Sequence, residues 1–545
     1  MRSDCLPVLL SALFLHLATL ESPAQTVNAA RAHPTHAANY NWFNEDAGLD
    51  KVLGISADRA YIELLKNRKS TPVIVAVIDG GVDTSHEDLR KTLWTNKKEI
   101  AGNGKDDDRN GYVDDIHGWD FIGGKTGDVN HDTEEITRLV AALGPKYANS
   151  ARPKSDPEKK EFDLYQKAKE NYDKDLSKNQ EQAGILDKLY NTVKESADLV
   201  KAELKTKKID SVSVKSYKGT DPRVGQAVSI MMRMFQFGIK DIDVGLAEIA
   251  DERKHFQSLV DYGLNLKYNP RTIVGDNYAD LYEQHYGNAD VMGPDALHGS
   301  HVSGIIGALR NNNVGIKGVA DNVQIMAIRT VPDGDERDKD VANAIRYAID
   351  NGAQIVNMSF GKSFSPGKEA VDKAVRYAEQ KGVLLVHAAG NEAANKDSVP
   401  NYPSRTYNDG TVATNWIEVG ASSRTNDQNL VASFSNYGKA SVDVFAPGVD
   451  ILSTVPHQNG YTTESGTSMA SPVVTGLAAV LKEYFPSLTP AEIRKIIMDS
   501  SVKYTTRVLR PGSQELVPFN QLSISGGIAN LYNAIQMAMA SSASR

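Results

Sequence analysis

Apolar residues in this chain fall into two contrasting patterns. At 72–79, 323–330, 354–359 and 382–389 they form short, β-rich runs with little polar interruption. Such runs predict strands buried on both faces, as in a parallel sheet, because a half-exposed strand would alternate. Helical spacing fills 340–350, which stops at Asn351-Gly352, and 368–381. Strand, helix, strand at this spacing predicts βαβ units and an α/β fold. Each strand runs into a polar or glycine-rich loop, where open α/β sheets carry their sites. Residues 467–485 read as a largely apolar, buried helix.

Residues 133–290 break the rhythm. Over 151–210, 27 of 60 residues are charged, against 24% for the whole chain. Tyr165, Ala168, Tyr172, Leu176, Asn179, Ala183, Leu186, Tyr190, Val193, Ala197, Val200 and Leu204 recur at three- and four-residue steps. That spacing predicts a long helix with one sticky seam, folded into a hairpin or paired with a partner, with Gly184 as a break. Another helix is expected at 241–260. The ordinary reading is a helical insertion that packs on its own domain; the alternative is an arm that contacts a partner.

The chain has 545 residues, 61 basic against 69 acidic, for a net charge of −8. That balance excludes a general nucleic-acid binder, which needs a strongly basic face. The apolar run at 6–20 is too short to span a bilayer and fits a signal-peptide core, with cleavage expected after Ala24. Export to the periplasm or beyond the cell follows, with no membrane span after cleavage. The one cysteine, Cys5, would leave with the signal peptide. A single cysteine excludes an intrachain disulfide and a Cys-rich zinc site.

Three short segments carry chemistry. Asp79 ends the first apolar run and is followed by Gly80-Gly81. Alone, Asp before two glycines is usually a turn. His298 opens His-Gly-Ser-His-Val-Ser-Gly, an apolar helix of small residues. Ser468 lies in Ser-Gly-Thr-Ser-Met-Ala-Ser-Pro, at the start of the 467–485 helix, where free N–H groups and the helix dipole favour a developing anion. Pro472 is expected within the first turn, where no internal bond is lost.

Together, in the order Asp, His, Ser, these segments resemble the subtilisin-like serine proteases, the subtilases. The resemblance covers about 40–132 and 291–535, with 1–24 as signal peptide, 25–39 as a short N-terminal segment, 133–290 as a helical insertion and 536–545 as a tail. It implies a three-layer α/β fold around a central parallel sheet, and a serine endopeptidase acting on proteins or peptides. Ser468 would be the nucleophile, His298 the general base and acid, and Asp79 the group that orients His298. Asn391, after His387-Ala388-Ala389-Gly390, matches the family's oxyanion-hole asparagine. Ser359, Phe360 and Gly361 resemble the edge that pairs with extended substrate, and Ala388, Ala389 and Gly390 a wall of the first specificity pocket. Gly80 departs from the family's usual Ser or Thr, and Ser300 and Ser303 stand where Thr and Ala are usual. The charged run 333–340 would rim the non-prime subsites, as solvated surface or with a mild preference for basic side chains. A rival reading is a catalytically silent scaffold that binds a partner through the insertion.

Residues 106–115 (Asp-Asp-Asp-Arg-Asn-Gly-Tyr-Val-Asp-Asp) match the start of a calcium loop. Asp106, Asp108 and Asn110 take positions one, three and five, Tyr112 offers its carbonyl, and Asp114 takes position nine. Position twelve is His117, which weakens the site or moves the last ligand to Asp115. The expected ion is a structural Ca2+, with no catalytic cofactor.

Overall fold

A computed structural model describes residues 40–543. The expected signal peptide, its cleavage site and Cys5 lie outside those residues. The described chain divides into two compact units, residues 136–268 and the remainder.

The larger unit is built on nine strands: β1 (Val73–Asp79), β2 (Gly118–Asp120), β3 (Val323–Arg329), β4 (Ile355–Met358), β5 (Leu384–Ala388), β6 (Trp416–Ser422), β7 (Val444–Pro447), β10 (Val502–Lys503) and β11 (Gly527–Ile528), with β8 (Ile451–Val455) and β9 (Gly460–Glu464) forming a separate hairpin. The sheet order is β10-β11-β7-β6-β5-β4-β1-β3-β2, and all pairings except β10 with β11 are parallel. Helices α1 (Leu297–Gly307), α2 (Asp338–Asp350), α3 (Lys368–Lys381), α4 (Thr467–Tyr484), α5 (Pro490–Ser500) and α6 (Leu531–Ala543) cover it. Successive side chains of a strand point to opposite faces. Val73, Val75 and Val77 therefore enter one core, with α1, α4, α5 and α6, while Ala76 and Ile78 enter a second, with α2 and α3. Both faces of β1 are dry, which explains its unbroken apolar run. This is the α/β fold the pattern predicts, in the three-layer form that the family resemblance implies.

The segment 536–545, expected as a tail, is helical to Ala543. Leu531, Ala534, Ile535 and Ala538 are fully buried at helical spacing, so core packing carries α6 onward.

In the smaller unit, Asp156–Leu204 is one continuous helix of 49 residues. Gly184 does not break it. A Cβ there would meet nothing within 4 Å, so the glycine is solvent-facing and costs only its propensity, about 1 kcal/mol. Leu186, Val193, Ala197 and Val200 on the seam, with Leu189 beside it, form a core with helices Pro222–Gln236 and Ile242–Ser258. The Tyr172 hydroxyl donates to the Leu264 carbonyl at 2.9 Å. The unit is narrower than 133–290. Residues 269–290 belong to the larger unit, where Arg271 is buried in ion pairs with Asp276 and Asp340.

Candidate active site

The carboxyl ends of β1, β4 and β5 lead to Asp79, Ser359 and Asn391, and the N-terminal turns of α1 and α4 supply His298 and Ser468. Asp79 is buried, and its Oδ1 lies 2.8 Å from His298 Nδ1 across 219 positions of sequence. The same oxygen accepts from Gly80 N at 2.7 Å. The approach requires Gly299: a Cβ there would lie 2.1 Å from the Gly81 carbonyl oxygen and 3.1 Å from Asp79 Cβ. Desolvation pulls the His298 pKa down, but the charge and hydrogen bond of Asp79, with smaller help from Glu464 and Asp295, raise it above the ordinary imidazole value. Glu464 ends β9, four residues before Ser468, and burial pushes its carboxyl up to about 7 against the pull of His298.

Ser468 is the second residue of α4. Its Oγ donates to the Ser359 carbonyl at 3.1 Å rather than to His298. Such nucleophile–base bonds commonly close only with substrate in place. Pro472 is the sixth residue of α4, not part of its first turn, so it removes the N–H that would reach the Ser468 carbonyl. The Ser359 hydroxyl replaces that donor, at 3.0 Å from Ser468 O. Asn357 completes the link. Its Nδ2 donates to Ser359 Oγ at 3.0 Å, and its Oδ1 accepts from Ser471 at 3.0 Å and Thr475 at 2.8 Å. The end of β4 is thus fastened to the helix that carries Ser468.

Asn391 is oriented by Thr467. Its Oδ1 accepts from Thr467 N and Oγ1, both at 2.9 Å. Nδ2, which accepts nothing and makes no protein hydrogen bond, is turned toward the start of α4, where a Cβ on Gly466 would be 3.5 Å away. The Thr467 hydroxyl also accepts from Gly390 N at 3.0 Å, which ties the Ala388–Gly390 segment to the same helix start.

The charged run 333–340 is mostly not solvated surface: Asp333 is exposed, but Glu336, Arg337, Asp338, Lys339 and Asp340 are buried. Arg337 grips buried Asp132 with two bonds of 2.7 and 2.8 Å. Asp333 meets His131 at 2.7 Å, and Asp335 accepts from Glu135 N at 2.7 Å. Lys362 reaches Glu135 at 2.7 Å and Asp338 at 3.0 Å. Lys339 and Asp340 are fully buried against Asp276, Glu283 and Arg271. Internal pairing consumes these charges, so the run gives no basis for a preference for basic substrate residues.

At the acidic loop, Asp106 and Asp108 come together with Glu99, their carboxylate oxygens within 4.8 Å of one another. Glu99 Oε1 accepts from Asp107 N and Asp108 N at 2.8 and 3.0 Å, while its Oε2 is buried with no partner. Asn110 N donates to both Asp106 and Asp108, and Asn110 Oδ1 accepts from Tyr112 N at 2.8 Å. Asp114 is not in the group. Its carboxylate closes the turn at Asn103 and Gly104, at 3.2 and 2.9 Å. Nor does Asp115 supply the last ligand, because Asn96, Asn110 and Tyr347 hold it. Three negative oxygen donors, one of them buried and unsatisfied, fit a hard oxygen-seeking cation.

Sequence reasoning missed Glu99, Asn357, Thr467 and Glu464 as parts of these sites. Thr467 sits inside the quoted motif, and Asn357 is a polar residue in an apolar strand, so both left a signal. Glu99 has no fixed spacing to the loop it joins.

Residues 70–518 match the model of the subtilase family (Peptidase_S8). Alkaline elastase YaB of Bacillus sp. (strain YaB) is 38% identical over 205 residues, 37% of this chain and 50% of that protein. Thermitase of Thermoactinomyces vulgaris is 39% identical over 217 residues, 38% of this chain and 72% of that protein. Among solved structures, a protease of Pseudoalteromonas arctica aligns at 27% identity and a TM-score of 0.39, over 46% of this chain and 78% of that one. The match thus spans half the length of the alkaline elastase. The family match covers most of the chain, and the chain belongs to the subtilase family.

Proposed function

We propose that this chain is an exported serine endopeptidase that cleaves peptide bonds in proteins, with Ser468 as nucleophile, His298 as general base and acid, Asp79 as its orienting carboxylate and Asn391 as an oxyanion donor. The observation that carries this reading is the 2.8 Å contact between His298 Nδ1 and buried Asp79, which leaves Nε2 free to take a proton. His298 Nε2 removes the Ser468 Oγ proton as the oxygen attacks the scissile carbonyl. The Asn391 side-chain N–H and the backbone N–H of Ser468 receive the oxyanion, and Thr467 holds the amide in that orientation. The imidazolium, stabilised by Asp79, then protonates the leaving amine. Water repeats the sequence on the acyl-enzyme and frees Ser468. Ser359–Gly361 and Ala388–Gly390 hold the substrate as an extended strand, through backbone bonds that accept any sequence.

Export rests on the apolar run at 6–20, and no helix among the described residues is long and apolar enough to cross a membrane. The silent-scaffold alternative is less favoured, because a binding module has no use for a histidine tuned by Asp79 beside an oriented Asn391. Glu99, Asp106 and Asp108, with carbonyl and amide oxygens of the 106–112 loop, would hold a structural Ca2+, which supplies charge balance and rigidity and takes no part in the proton transfers. The test of activity is hydrolysis of an unfolded protein substrate by the full chain. Turnover abolished by Ser468→Ala supports the proposal, and equal turnover by that variant contradicts it. The calcium assignment predicts a melting temperature that rises by about 5 °C or more at saturating Ca2+, lost in Glu99→Gln. A calcium response unchanged by that substitution would contradict the ligand set.

A further inference from the structure

We propose that Asn436 is a positioning residue for the oxyanion site: its side chain clamps the turn that presents Asn391. The inference rests on the proposed protease reading and adds a residue to it. Asn391 is exposed, and among the described residues its main chain makes no hydrogen bond. Thr467 orients its amide, but the place of its backbone is inherited from the residues on either side. Those residues converge on Asn436, which is buried. Before the turn, Asn436 Nδ2 donates to the Ala389 carbonyl and Asn436 N to the Gly390 carbonyl, both at 2.9 Å. After it, Nδ2 also donates to Glu392 Oε2 at 2.5 Å, and Oδ1 accepts from Ala394 N at 2.7 Å. One short side chain therefore holds both arms of the turn whose tip is Asn391.

The amide has one workable orientation. Turning it over would set Nδ2 against the Ala394 N–H and Oδ1 against the Ala389 carbonyl. Gly390 makes room for it: a Cβ there would lie 2.4 Å from Asn436 Nδ2, and its φ of +102° is one that side chains rarely adopt. The clamp is itself anchored on the sheet. Ser435 Oγ accepts from Ala421 N of β6 at 3.0 Å and donates to the Asn436 carbonyl at 2.9 Å. Farther along, Ala393 N donates to the Phe434 carbonyl at 2.8 Å and Tyr437 N to the Ala394 carbonyl at 3.0 Å. Lys396 N donates to the Tyr437 carbonyl at 2.8 Å, so the returning arm lies along 434–437. Those main-chain bonds fix the arm without the Asn436 side chain. The bonds to Ala389, Glu392 and Ala394 are what the side chain adds, and they bracket the tip. An oxyanion donor works only if it stands in place before the charge develops. A tip free to shift by about 1 Å therefore loses rate rather than substrate affinity.

The test is steady-state hydrolysis of a peptide p-nitroanilide by the full chain, with rates taken per folded chain from circular-dichroism melting curves. Asn436→Ala should lower kcat by about 10- to 100-fold and leave KM within about twofold of wild type. Asn436→Asp keeps the shape and the acceptor but loses the donor, and should move kcat and KM the same way. The sharpest readout is the pair with Asn391→Ala. Once the oxyanion amide is gone its placement no longer matters, so adding Asn436→Ala to that background should lower kcat by less than about twofold further. Losses that multiply, a raised KM with kcat unchanged, or a folded Asn436→Ala chain with wild-type kcat overturns this inference alone. Failure of both Asn436 variants to fold also overturns it and makes the residue purely structural. A wild-type chain that neither cleaves nor labels with a fluorophosphonate at Ser468 overturns the protease reading and this inference with it.

Discussion

Two polar regions of the larger unit use the same residue types in opposite ways. In the strap formed by 131–135 and 333–340, carboxylates and cations are buried together and matched: Arg337 with Asp132, Lys362 with Glu135 and Asp338. In the cleft, key groups are held by one side and left open on the other. Asn391 is fixed through Oδ1 while Nδ2 makes no bond. His298 is bonded at Nδ1 to Asp79, and Glu464 faces it without an ion-pair contact. A matched charge network confers shape; a half-matched one stores capacity to bind. The difference is what favours the cleft as the polar cluster proposed to do chemistry, although charge density alone points to the strap.

Substitutions at the two regions should fail differently. The largest effect is expected in the cleft: His298→Ala should lower kcat by about 10⁶-fold and Asp79→Asn by roughly 10⁴-fold, with thermal stability little changed. The strap should behave the other way. Arg337→Ala takes the guanidinium away from the buried Asp132 carboxylate, and should cost about 3–5 kcal/mol of stability by denaturant unfolding. A stable Arg337→Ala chain would show that the strap is not matched as described. Next, under the proposed role of Asn391 as a donor to the oxyanion and not to the ground state, Asn391→Ala should reduce kcat by about 10²–10³-fold with little change in KM. A loss in KM alone would move Asn391 into substrate binding. The smallest effect is expected at Glu464. In the proposed mechanism activity needs neutral His298, so it should rise with pH through the His298 pKa. Removing a neighbouring negative charge lowers that pKa, and Glu464→Gln should shift the acidic limb of the kcat/KM profile to lower pH. A shift to higher pH would contradict the electrostatic reading.

Much of this was legible in the sequence. The buried strands declared themselves as apolar runs, and Asp79, His298, Asn391 and Ser468 lie at strand ends or helix starts in glycine-flanked motifs. Local backbone requirements make such positions readable. What escaped depends on contacts between distant segments. Tyr402 lies in a loop without periodicity and is tied to Lys362 through two backbone bonds. Glu99 joins the acidic loop from upstream of any motif spacing. The charged run 333–340 looks solvated because its partners, Arg271, Asp276 and Asp132, are far away in sequence. The helix Pro222–Gln236 did carry a signal, with Asp221 as N-cap and Pro222 at its first position. Gly184 misled because a solvent-facing glycine weakens a helix without ending it.

The central claim is that the half-matched cleft activates one serine. Stoichiometric reaction with a fluorophosphonate, read by mass spectrometry of the intact chain and its peptides, tests it most directly. The account predicts one adduct per chain on Ser468, lost in His298→Ala while the chain stays folded. No adduct on folded wild-type protein, or equal labelling after His298→Ala, would contradict it.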